Sequence, residues 1–390
     1  MTIPAEFDEI RPYNPEELPQ VFDELFADPM FRDVVSKVMP DIPIEVLERQ
    51  IRHCKTNLEV QLAIFYKLIH SLLDKYSDGF EMETTSLPDK NANYTFVSNH
   101  RDIVLDPGLI SVGLVDNHFS TTVEIAIGDN LLIYPWIKRL VRVNKSFIVM
   151  RGLTMRQQLA AAQRMSRYIH FAITQKNENV WIAQREGRAK DSDDRTQESV
   201  LKMLAMGGEG TPVDKLKELN IVPVSLSYEY DPCDYLKAKE MQLKRDVQGF
   251  KKSRQDDLDN MRIGIFGYKG RVHFQTAPCI NDKLEEMREV PKTQFFTKVA
   301  DLIDKEIHAN YKLFPCNYIA YDLMENTSHF KEVAIREGFY EESEREKFKA
   351  YLQKKLSMID LPTRDDAFLI NRMLAMYSNP VRNQLKALGQ

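Results

Sequence analysis

The sequence of 390 residues contains no long hydrophobic run and has only four cysteines, which are widely spaced. No segment reaches the roughly 18 to 20 consecutive apolar residues that a membrane-spanning helix requires. The N-terminus lacks the charged and then apolar pattern of a signal peptide. Cys54, Cys233, Cys279 and Cys316 form no Cys-x-x-Cys pair, which argues against a zinc site and a disulfide framework. We therefore expect a cytoplasmic chain with reduced thiols that is soluble or bound to a membrane surface.

An excess of basic residues is also missing. The formal net charge is -5, whereas a nucleic-acid-binding protein would need a dominant basic face. The sequence has no internal repeat, no low-complexity tract and no glycine loop of the kind that cradles phosphate. What it does have is 43% hydrophobic and 10% aromatic residues, enough for a sizeable core.

Helical periodicity dominates the first 80 or so residues. Asn14 with Pro15 and Glu17 has the cap, first-position proline and third-position acid of a helix start. Two apolar stripes at helical spacing follow, and we expect both to be core. They consist of Val21, Phe22, Leu25 and Phe26, and of Leu58, Leu62, Phe65, Ile69 and Leu72.

Strand and helix patterns alternate from residue 94 onward, which predicts an α/β fold whose mixed sheet is layered with helices. Strands are expected near 94–99, 121–127, 145–150, 179–184, 221–228 and 271–275, and helices after Pro107, near 154–175 and from Glu198 to Met206. The polar stretch at 83–93 separates a helical N-terminal region, 1–85, from an α/β domain, 86–320. A helical C-terminal extension, 321–390, follows, in which Thr363 is a candidate cap and the residues before Pro380 form an apolar surface.

The most informative segment places His100 at the exit of the apolar run 94–97, followed by Asp102 and Asp106. A neutral imidazole can take a proton from a hydroxyl, while a nearby carboxylate orients the ring and stabilises the imidazolium. No serine or cysteine nucleophile elbow accompanies it, so direct attack by a substrate hydroxyl is favoured. Asp106 before Pro107 also has the pattern of a helix start. Asp102 and Asp106 both compete for the role of carboxylate partner, with Asp106 preferred.

Polar residues also follow three further apolar runs. Arg151 comes directly after 146–150, and the strand at 179–184 leads into a polar segment that contains Arg185, Glu186, Gly187, Arg188 and Lys190. A third run, 221–229, contains Pro223. An arginine after a strand is often a solvated surface residue, but such residues after several strands of one sheet can meet at its edge.

In this order and at these separations, the four segments resemble the four sequence blocks of the glycerolipid acyltransferases, the glycerol-3-phosphate and lysophosphatidate acyltransferase superfamily. The resemblance spans roughly residues 94 to 230. It implies that His100 is the general base and Asp106 its orienting carboxylate. Five residues separate these two, one more than in the family motif, so Asp102 stays a candidate for the same role.

The resemblance further implies a substrate-binding set in which Arg151 and Arg188 bind the phosphate of the acceptor. Glu186 and Gly187 would shape that loop, Lys190 or Arg185 would assist, and Pro223 would lie on the acyl-donor side of the cleft. The implied reaction transfers a fatty acyl group from coenzyme A or acyl carrier protein to a hydroxyl of glycerol-3-phosphate or lysophosphatidate, in phospholipid biosynthesis. It needs no metal and no cofactor besides the acyl donor, and it implies contact with the inner face of the cell membrane.

Residues 237–254 hold seven basic and two acidic side chains, with apolar residues at helical offsets. They predict an amphipathic basic helix that could lie on an anionic membrane or bind an acidic carrier protein, although a solvated surface helix has the same pattern.

Other functions fit parts of the same sequence. Asn99, His100 and Asp102 are similar to an element of two-metal phosphoesterases, but the upstream metal-binding segments of that fold are missing. An acyltransferase for an amino-acid-derived lipid and a catalytically silent membrane-associated scaffold are the remaining alternatives. His273, in the late strand, is expected to be structural.

Overall fold

The computed structural model describes residues 3–331 and 339–390, and a mixed sheet of seven strands lies at its centre. The strands are β1 (Phe80–Glu83), β2 (Thr95–Ser98), β3 (Val123–Gly128), β4 (Ser146–Val149), β5 (Asn179–Ala183), β6 (Ile221–Tyr228) and β7 (Val272–Thr276). Their order in the sheet is β1-β7-β6-β2-β5-β3-β4. β6 and β7 pair antiparallel, and every other neighbouring pair is parallel. The predicted α/β class and mixed sheet are confirmed.

Helices cover both faces of the sheet, and further helices lie at both ends of the chain. Because the central strands are buried on both faces, they are nearly continuous apolar runs. The N-terminal helices are α1 (Leu18–Ala27), α2 (Pro29–Val38), α3 (Ile44–His53), α4 (Asn57–Val60) and α5 (Tyr66–Tyr76). Those of the central part are α6 (Leu105–Asp116), α7 (Pro135–Val143), α8 (Met155–Thr174), α9 (Glu198–Leu204), α10 (Pro212–Glu218), α11 (Asp234–Asp246), α12 (Arg254–Phe266), α13 (Asn281–Glu286) and α14 (Lys292–Ala309). The C-terminal ones are α15 (Pro315–Glu325), α16 (Glu342–Ser357) and α17 (Asp366–Leu388).

All six predicted strands are present, whereas β1 was not predicted. β1 has the sequence Phe-Glu-Met-Glu and lies at the edge of the sheet, where only Met82 is buried. One buried side chain in four residues leaves little periodicity to recognise. The division of the chain at residues 85 and 320 stays a prediction.

The helix start at Asn14 is confirmed in its main features. The Asn14 N–H donates to Glu17 at 2.6 Å, and a 3-10 turn at Pro15–Glu17 leads into α1. The first apolar stripe is buried as predicted.

The second apolar stripe is helical, but the prediction that all of it is core is wrong. The chain passes from α4 through a π-helical turn at Gln61–Phe65 into α5, which rotates the side chains. Leu62 is 39% exposed, and Phe65, Ile69 and Leu72 line a large cavity. The second stripe therefore forms part of the wall of this cavity and is not packed entirely in the core.

The predicted basic helix over 237–254 is confirmed only up to Asp246, and its continuation to 254 is wrong. α11 ends at Asp246 and α12 begins at Arg254, and between them Gly249 has a φ of +73° that a continuing helix cannot accommodate. Lys237 is buried and pairs with Asp231. The positive charge of this segment is thus partly neutralised within the fold.

The cap of the C-terminal helix α17 is Asp365, two residues after the predicted Thr363, and it accepts the N–H of Phe368 at 3.0 Å. The helix continues through Pro380 to Leu388. Its apolar residues pack on α15 and α11, as expected for a terminal helix that covers its own domain. The helical extension predicted over 321–390 is found as the end of α15, α16 and α17, and its residues 332–338 lie outside the described residues.

Within the described ranges, the helices include none that is both long and apolar enough to cross a membrane.

Candidate active site

His100 lies just past the end of β2, and its imidazole is bound to Asp106. Nδ1 of His100 is 2.7 Å from Oδ2 of Asp106, a carboxylate in the first turn of α6. The ring is 13% exposed and lines the cavity, and it packs edge-on against Trp181 of β5. Because Nδ1 is engaged, Nε2 is the nitrogen left for chemistry.

The Asp106 carboxylate is fully buried and accepts four hydrogen bonds. Besides His100, Oδ2 accepts the N–H groups of Arg101 at 2.7 Å and Asp102 at 3.0 Å. Oδ1 accepts the hydroxyl of Tyr228 at 2.8 Å. Burial raises the pKa of Tyr228 well above its usual range, so this hydroxyl is a permanent donor. Sequence reasoning missed Tyr228, although its position at the exit of β6, next to β2, was a usable signal.

Asp102 has a different position from Asp106. Its Oδ1 accepts the N–H groups of Val104 and Leu105, both at 2.8 Å, so that it closes the turn into α6. Burial and the neighbouring Asp106 raise the pKa of Asp102. The structure therefore brings Asp106 to the imidazole and uses Asp102 at the start of α6. The sequence pattern of Asp106 before Pro107 had indicated Asp106 for that helix start.

Replacing Tyr228 with phenylalanine tests the role of its hydroxyl. We expect the free energy of unfolding to fall by about 1–3 kcal/mol, because a buried acceptor on Asp106 loses its donor. A carboxylate free to rotate also orients His100 less well, so any turnover that depends on His100 should fall about tenfold. Urea unfolding and steady-state kinetics measure the two effects. Tyr230→Phe, on the same segment but not bonded to Asp106, is the matched control, and equal losses in both variants would contradict the assignment.

The residues around His100 are held in a rigid frame. The side-chain amide of Asn99 donates to the Leu226 carbonyl at 2.9 Å and accepts its N–H at 2.8 Å, which extends the pairing of β2 with β6. Arg101 forms a buried ion pair with Asp194 at 2.7 Å. Since both polar ends of the Asn99 amide are bonded to backbone, Asn99 does not suit the metal-ligand role of the phosphoesterase hypothesis.

Three potential metal-ligand side chains lie together elsewhere, on β1 and β7. The ligand atoms of Glu81, Glu83 and His273 are all within 4.8 Å of one another. Nε2 of His273 is 2.9 Å from Oε1 of Glu83, and the structural role expected for His273 stays a prediction.

The arginine after β4 meets the loop after β5. Nη1 of Arg151 is 3.1 Å from Oε1 of Glu186, and the Arg151 N–H donates to Asp129. Gly187 has a φ of +68°, a conformation that side chains rarely tolerate, and it turns the chain so that Arg188 points inward. Glu186 is therefore a partner of Arg151 at the surface of the site.

Arg188 is 8% exposed and is only partly satisfied. Nη2 donates to Oδ1 of Asn260 at 3.1 Å, whereas Nη1 is buried and finds no hydrogen-bond partner among the described residues. Nε of the neighbouring Arg185 is also buried and has no hydrogen-bond partner among the described residues. Buried cationic donors are almost always paired, so unpaired ones in a cavity indicate space for an anionic ligand.

Lys190 completes the basic group on this loop. Its ammonium is 2.8 Å from Glu240 of α11. Burial, together with the charge of Arg188, lowers the pKa of Lys190 to about 8, while the pairing lowers the pKa of Glu240 to about 2.

Helix α12, which was not predicted, covers the site from one side. Asn260 binds Arg188, and Gly264 lies so close to Asp102 that a Cβ there would come within 1.9 Å of Oδ2. The same helix presents apolar side chains to the cavity. Any larger residue at 264 would push α12 away from the start of α6.

The cavity that joins these groups has a volume of about 1600 Å³, larger than the roughly 300–1000 Å³ of ordinary small-molecule pockets. Its apolar walls come from the second stripe, from α7 and from α12. Eight basic and three acidic side chains also line it. Among the basic ones, Arg185, Arg188 and Arg262 form no ion pair with a described residue. The basic residues are Lys37, Arg151, Arg185, Arg188, Lys190, Lys244, Lys252 and Arg262.

Pro223 lies apart from this group. It is buried in the middle of β6 opposite Val97, and it is not among the described residues that line the cavity. Its carbonyl accepts the N–H of Ala277 at 2.8 Å. A contact of Pro223 with an acyl donor stays a prediction.

No protein-family model and no curated protein sequence matches this chain. Among solved structures, it is similar to the 1-acyl-sn-glycerophosphate (LPA) acyltransferase PlsC from Thermotoga maritima, with 12% sequence identity and a TM-score of 0.38. The match covers 76% of this chain and 98% of that protein. At this level of likeness, the chemistry of the site has to be argued from its own residues.

Proposed function

We propose that this protein is an acyltransferase that moves a fatty acyl group from a thioester to a hydroxyl of a phosphate-bearing glycerol acceptor. One observation carries the proposal: the His100–Asp106 pair opens into a large, mainly apolar cavity that also contains the unpaired, buried Nη1 of Arg188. A base, an anion site and room for a hydrocarbon chain in one cavity are what such a reaction needs.

The proposed step needs no covalent enzyme intermediate. Nε2 of His100 takes the proton of the acceptor hydroxyl as the oxygen attacks the thioester carbonyl. The carbon–sulfur bond then breaks, the new ester forms, and the proton passes from His100 to the departing thiolate. Asp106 holds the imidazole through Nδ1 and stabilises its charged form, and Tyr228 holds Asp106.

The acceptor phosphate is proposed to bind at the loop after β5. The guanidinium of Arg188 has a free buried N–H group and a planar fork that fits two phosphate oxygens. Arg151 and Lys190 sit at the same cavity, each held by an acidic partner that a phosphate could replace. Gly187 provides the turn between Glu186 and Arg188, and Glu186 holds Arg151 in place until the phosphate binds.

The acyl chain is proposed to lie along the apolar walls, with coenzyme A or acyl carrier protein outside. These walls are apolar, and a hydrocarbon chain is more stable against them than in water. They include Phe65, Ile69, Leu72, Ile265 and Phe266. Because one substrate and the product are lipids, we propose that the enzyme works as a peripheral protein at the cytoplasmic face of a membrane.

Acceptor-dependent thiol release is the direct test. Palmitoyl-coenzyme A and a palmitoyl carrier protein are each offered with glycerol-3-phosphate, with lysophosphatidate or with no acceptor. Release that requires a phosphate acceptor supports the proposal and identifies the donor. If no acceptor stimulates release, phospholipid synthesis is ruled out, and an amino-acid lipid as acceptor becomes the next substrate to offer.

The lowered pKa of Lys190 predicts how binding of the phosphate acceptor depends on pH. With its pKa lowered to about 8, the side chain is charged below that pH and loses its charge as the pH rises through it. We therefore expect the KM for the phosphate acceptor to increase above pH 8 in the wild type. Arginine does not deprotonate in this range, so Lys190→Arg should remove most of that increase. Lys298→Arg on the exposed face of α14 serves as control, and an unchanged pH dependence in Lys190→Arg would contradict the role of Lys190.

A further inference from the structure

The N-terminal half of α8 projects from the protein with apolar side chains exposed. Met155 is 87% exposed, more than any other large apolar residue in the described ranges, and Leu159 is 54% exposed. The two are four residues apart and so lie on one face of the helix. The buried residues of α8 begin only at Ser166. Residues 152–160 thus form an exposed tip, referred to below as the α8 tip.

The α8 tip adjoins the catalytic cavity. Arg151, Gly152 and Gln158 all line that cavity. On another wall of the same cavity, Met30 is 45% exposed. A hydrocarbon chain that leaves the cavity here would meet apolar side chains rather than water.

Positive charge accompanies these apolar residues. Arg156 is exposed at the tip and forms no ion pair with a described residue, whereas Arg164 and Arg167 further along α8 pair with Glu9 and Glu6. Arg262 of α12, which lines the cavity, is also exposed and unpaired within the described ranges. A free cation beside exposed apolar groups, as Arg156 is beside Met155, matches the chemistry of an anionic bilayer surface.

We propose that the α8 tip docks on an anionic lipid bilayer, so that the catalytic cavity opens directly onto the membrane. Met155 and Leu159 enter the region between head groups and acyl chains, and Arg156 binds lipid phosphate. This inference rests on the proposed function, because a cavity that takes lipid substrates gains from direct access to a bilayer.

A bilayer fits this surface better than a protein partner does. A stable protein interface usually needs about 800 Å² on each side, whereas the tip offers two large apolar side chains on a projecting helix. A bilayer accepts such a small insertion without a complementary shape.

The segment 237–254 is a weaker candidate for the same role, because most of its cations are already neutralised. Lys244 binds Glu240 at 2.9 Å, Arg245 binds Asp246 at 2.6 Å and Asp365 at 2.9 Å, and Lys252 binds Asp257.

Vesicle binding of the full-length chain tests the proposal without using activity. Flotation with phosphatidylcholine vesicles, with and without phosphatidylglycerol, is measured for the wild type, M155A/L159A and R156Q. Removing two apolar side chains should weaken binding about tenfold or more, because their transfer from water into the bilayer no longer contributes to binding. R156Q should weaken binding about fivefold, and only to vesicles that contain phosphatidylglycerol. Added salt should likewise weaken the binding of the wild type to these vesicles.

Matched controls come from exposed apolar residues elsewhere. Met358 is 49% exposed and Leu388 is 53% exposed, and neither is among the described residues at the cavity. M358A and L388A should bind vesicles like the wild type. Failure of the wild type to bind, or equal binding by M155A/L159A, would overturn the proposal. The proposal would also be overturned if M155A/L159A lost binding to acyl carrier protein while it bound vesicles like the wild type.

Failure of this inference can be told apart from failure of the proposed function. A short-chain acyl thioester and glycerol-3-phosphate are both water-soluble, so acyl transfer between them reports the active site alone. M155A/L159A should keep that transfer and lose transfer from vesicle-bound substrates. If the wild type binds vesicles through the tip but transfers no acyl group, the proposed function fails while the docking surface stands.

Discussion

Replacing His100 with alanine is expected to lower acyl transfer at least a thousandfold. Only Nε2 of this imidazole is placed to take a proton inside the cavity, because Nδ1 is committed to Asp106 at 2.7 Å. General-base catalysis contributes about 10²–10⁴-fold to comparable reactions, and the sequence contains no serine or cysteine nucleophile elbow that would offer another route. The measurement is acceptor-dependent thiol release, with the thermal unfolding midpoint recorded in parallel to exclude loss of folding.

The two aspartates provide an internal control for this prediction. Asp106→Asn leaves the shape intact but removes the charge that stabilises the imidazolium, so activity should fall about a hundredfold. Asp102→Asn keeps the side-chain oxygen that accepts the N–H groups of Val104 and Leu105, and asparagine is a good helix cap. Its activity should stay within about threefold of the wild type. A larger loss in Asp102→Asn than in Asp106→Asn would show that the wrong carboxylate has been assigned.

Replacing Arg188 with methionine is expected to raise the KM for the phosphate acceptor about a hundredfold. The side chain is 8% exposed, and its Nη1 has no partner in the described part of the chain, so a bound phosphate gains a charge-assisted hydrogen bond away from water. One such bond contributes about 1.5–3 kcal/mol, and the upper end of that range corresponds to the expected change of about a hundredfold. Initial rates at varied acceptor and saturating acyl donor measure it.

Two comparisons separate binding from folding at this position. Arg188→Lys keeps the charge but loses the planar fork, so its KM should lie between those of the wild type and Arg188→Met. Arg254→Met, at the exposed start of α12, should leave the KM unchanged. Because Arg188 is an incompletely paired buried charge, Arg188→Met should not lower the stability of the free protein by more than about 1 kcal/mol. An unchanged KM in Arg188→Met would remove the phosphate from the proposed site.

Much of the fold could be predicted because its signals are local. The apolar runs that became β2, β5 and β6 stand out in the sequence, since strands buried on both faces need nearly continuous apolar residues. The positions of His100 and Arg188 after such runs followed directly. β1 was missed because an edge strand needs little burial. The extent of the helix predicted over 237–254 was wrong because apolar residues at helical offsets continue across the break at Gly249.

The sequence by itself determined the α/β class, the alternation of strands and helices, and the placement of a histidine and several cations after strands. Only the tertiary structure decided that Asp106 and not Asp102 holds His100. That choice depends on where α6 starts and on Tyr228, which is 122 residues away along the chain. It also decided that the second apolar stripe lines a cavity. Periodicity records which side of a helix is apolar, but whether that side meets core or open space depends on what the rest of the chain packs against it.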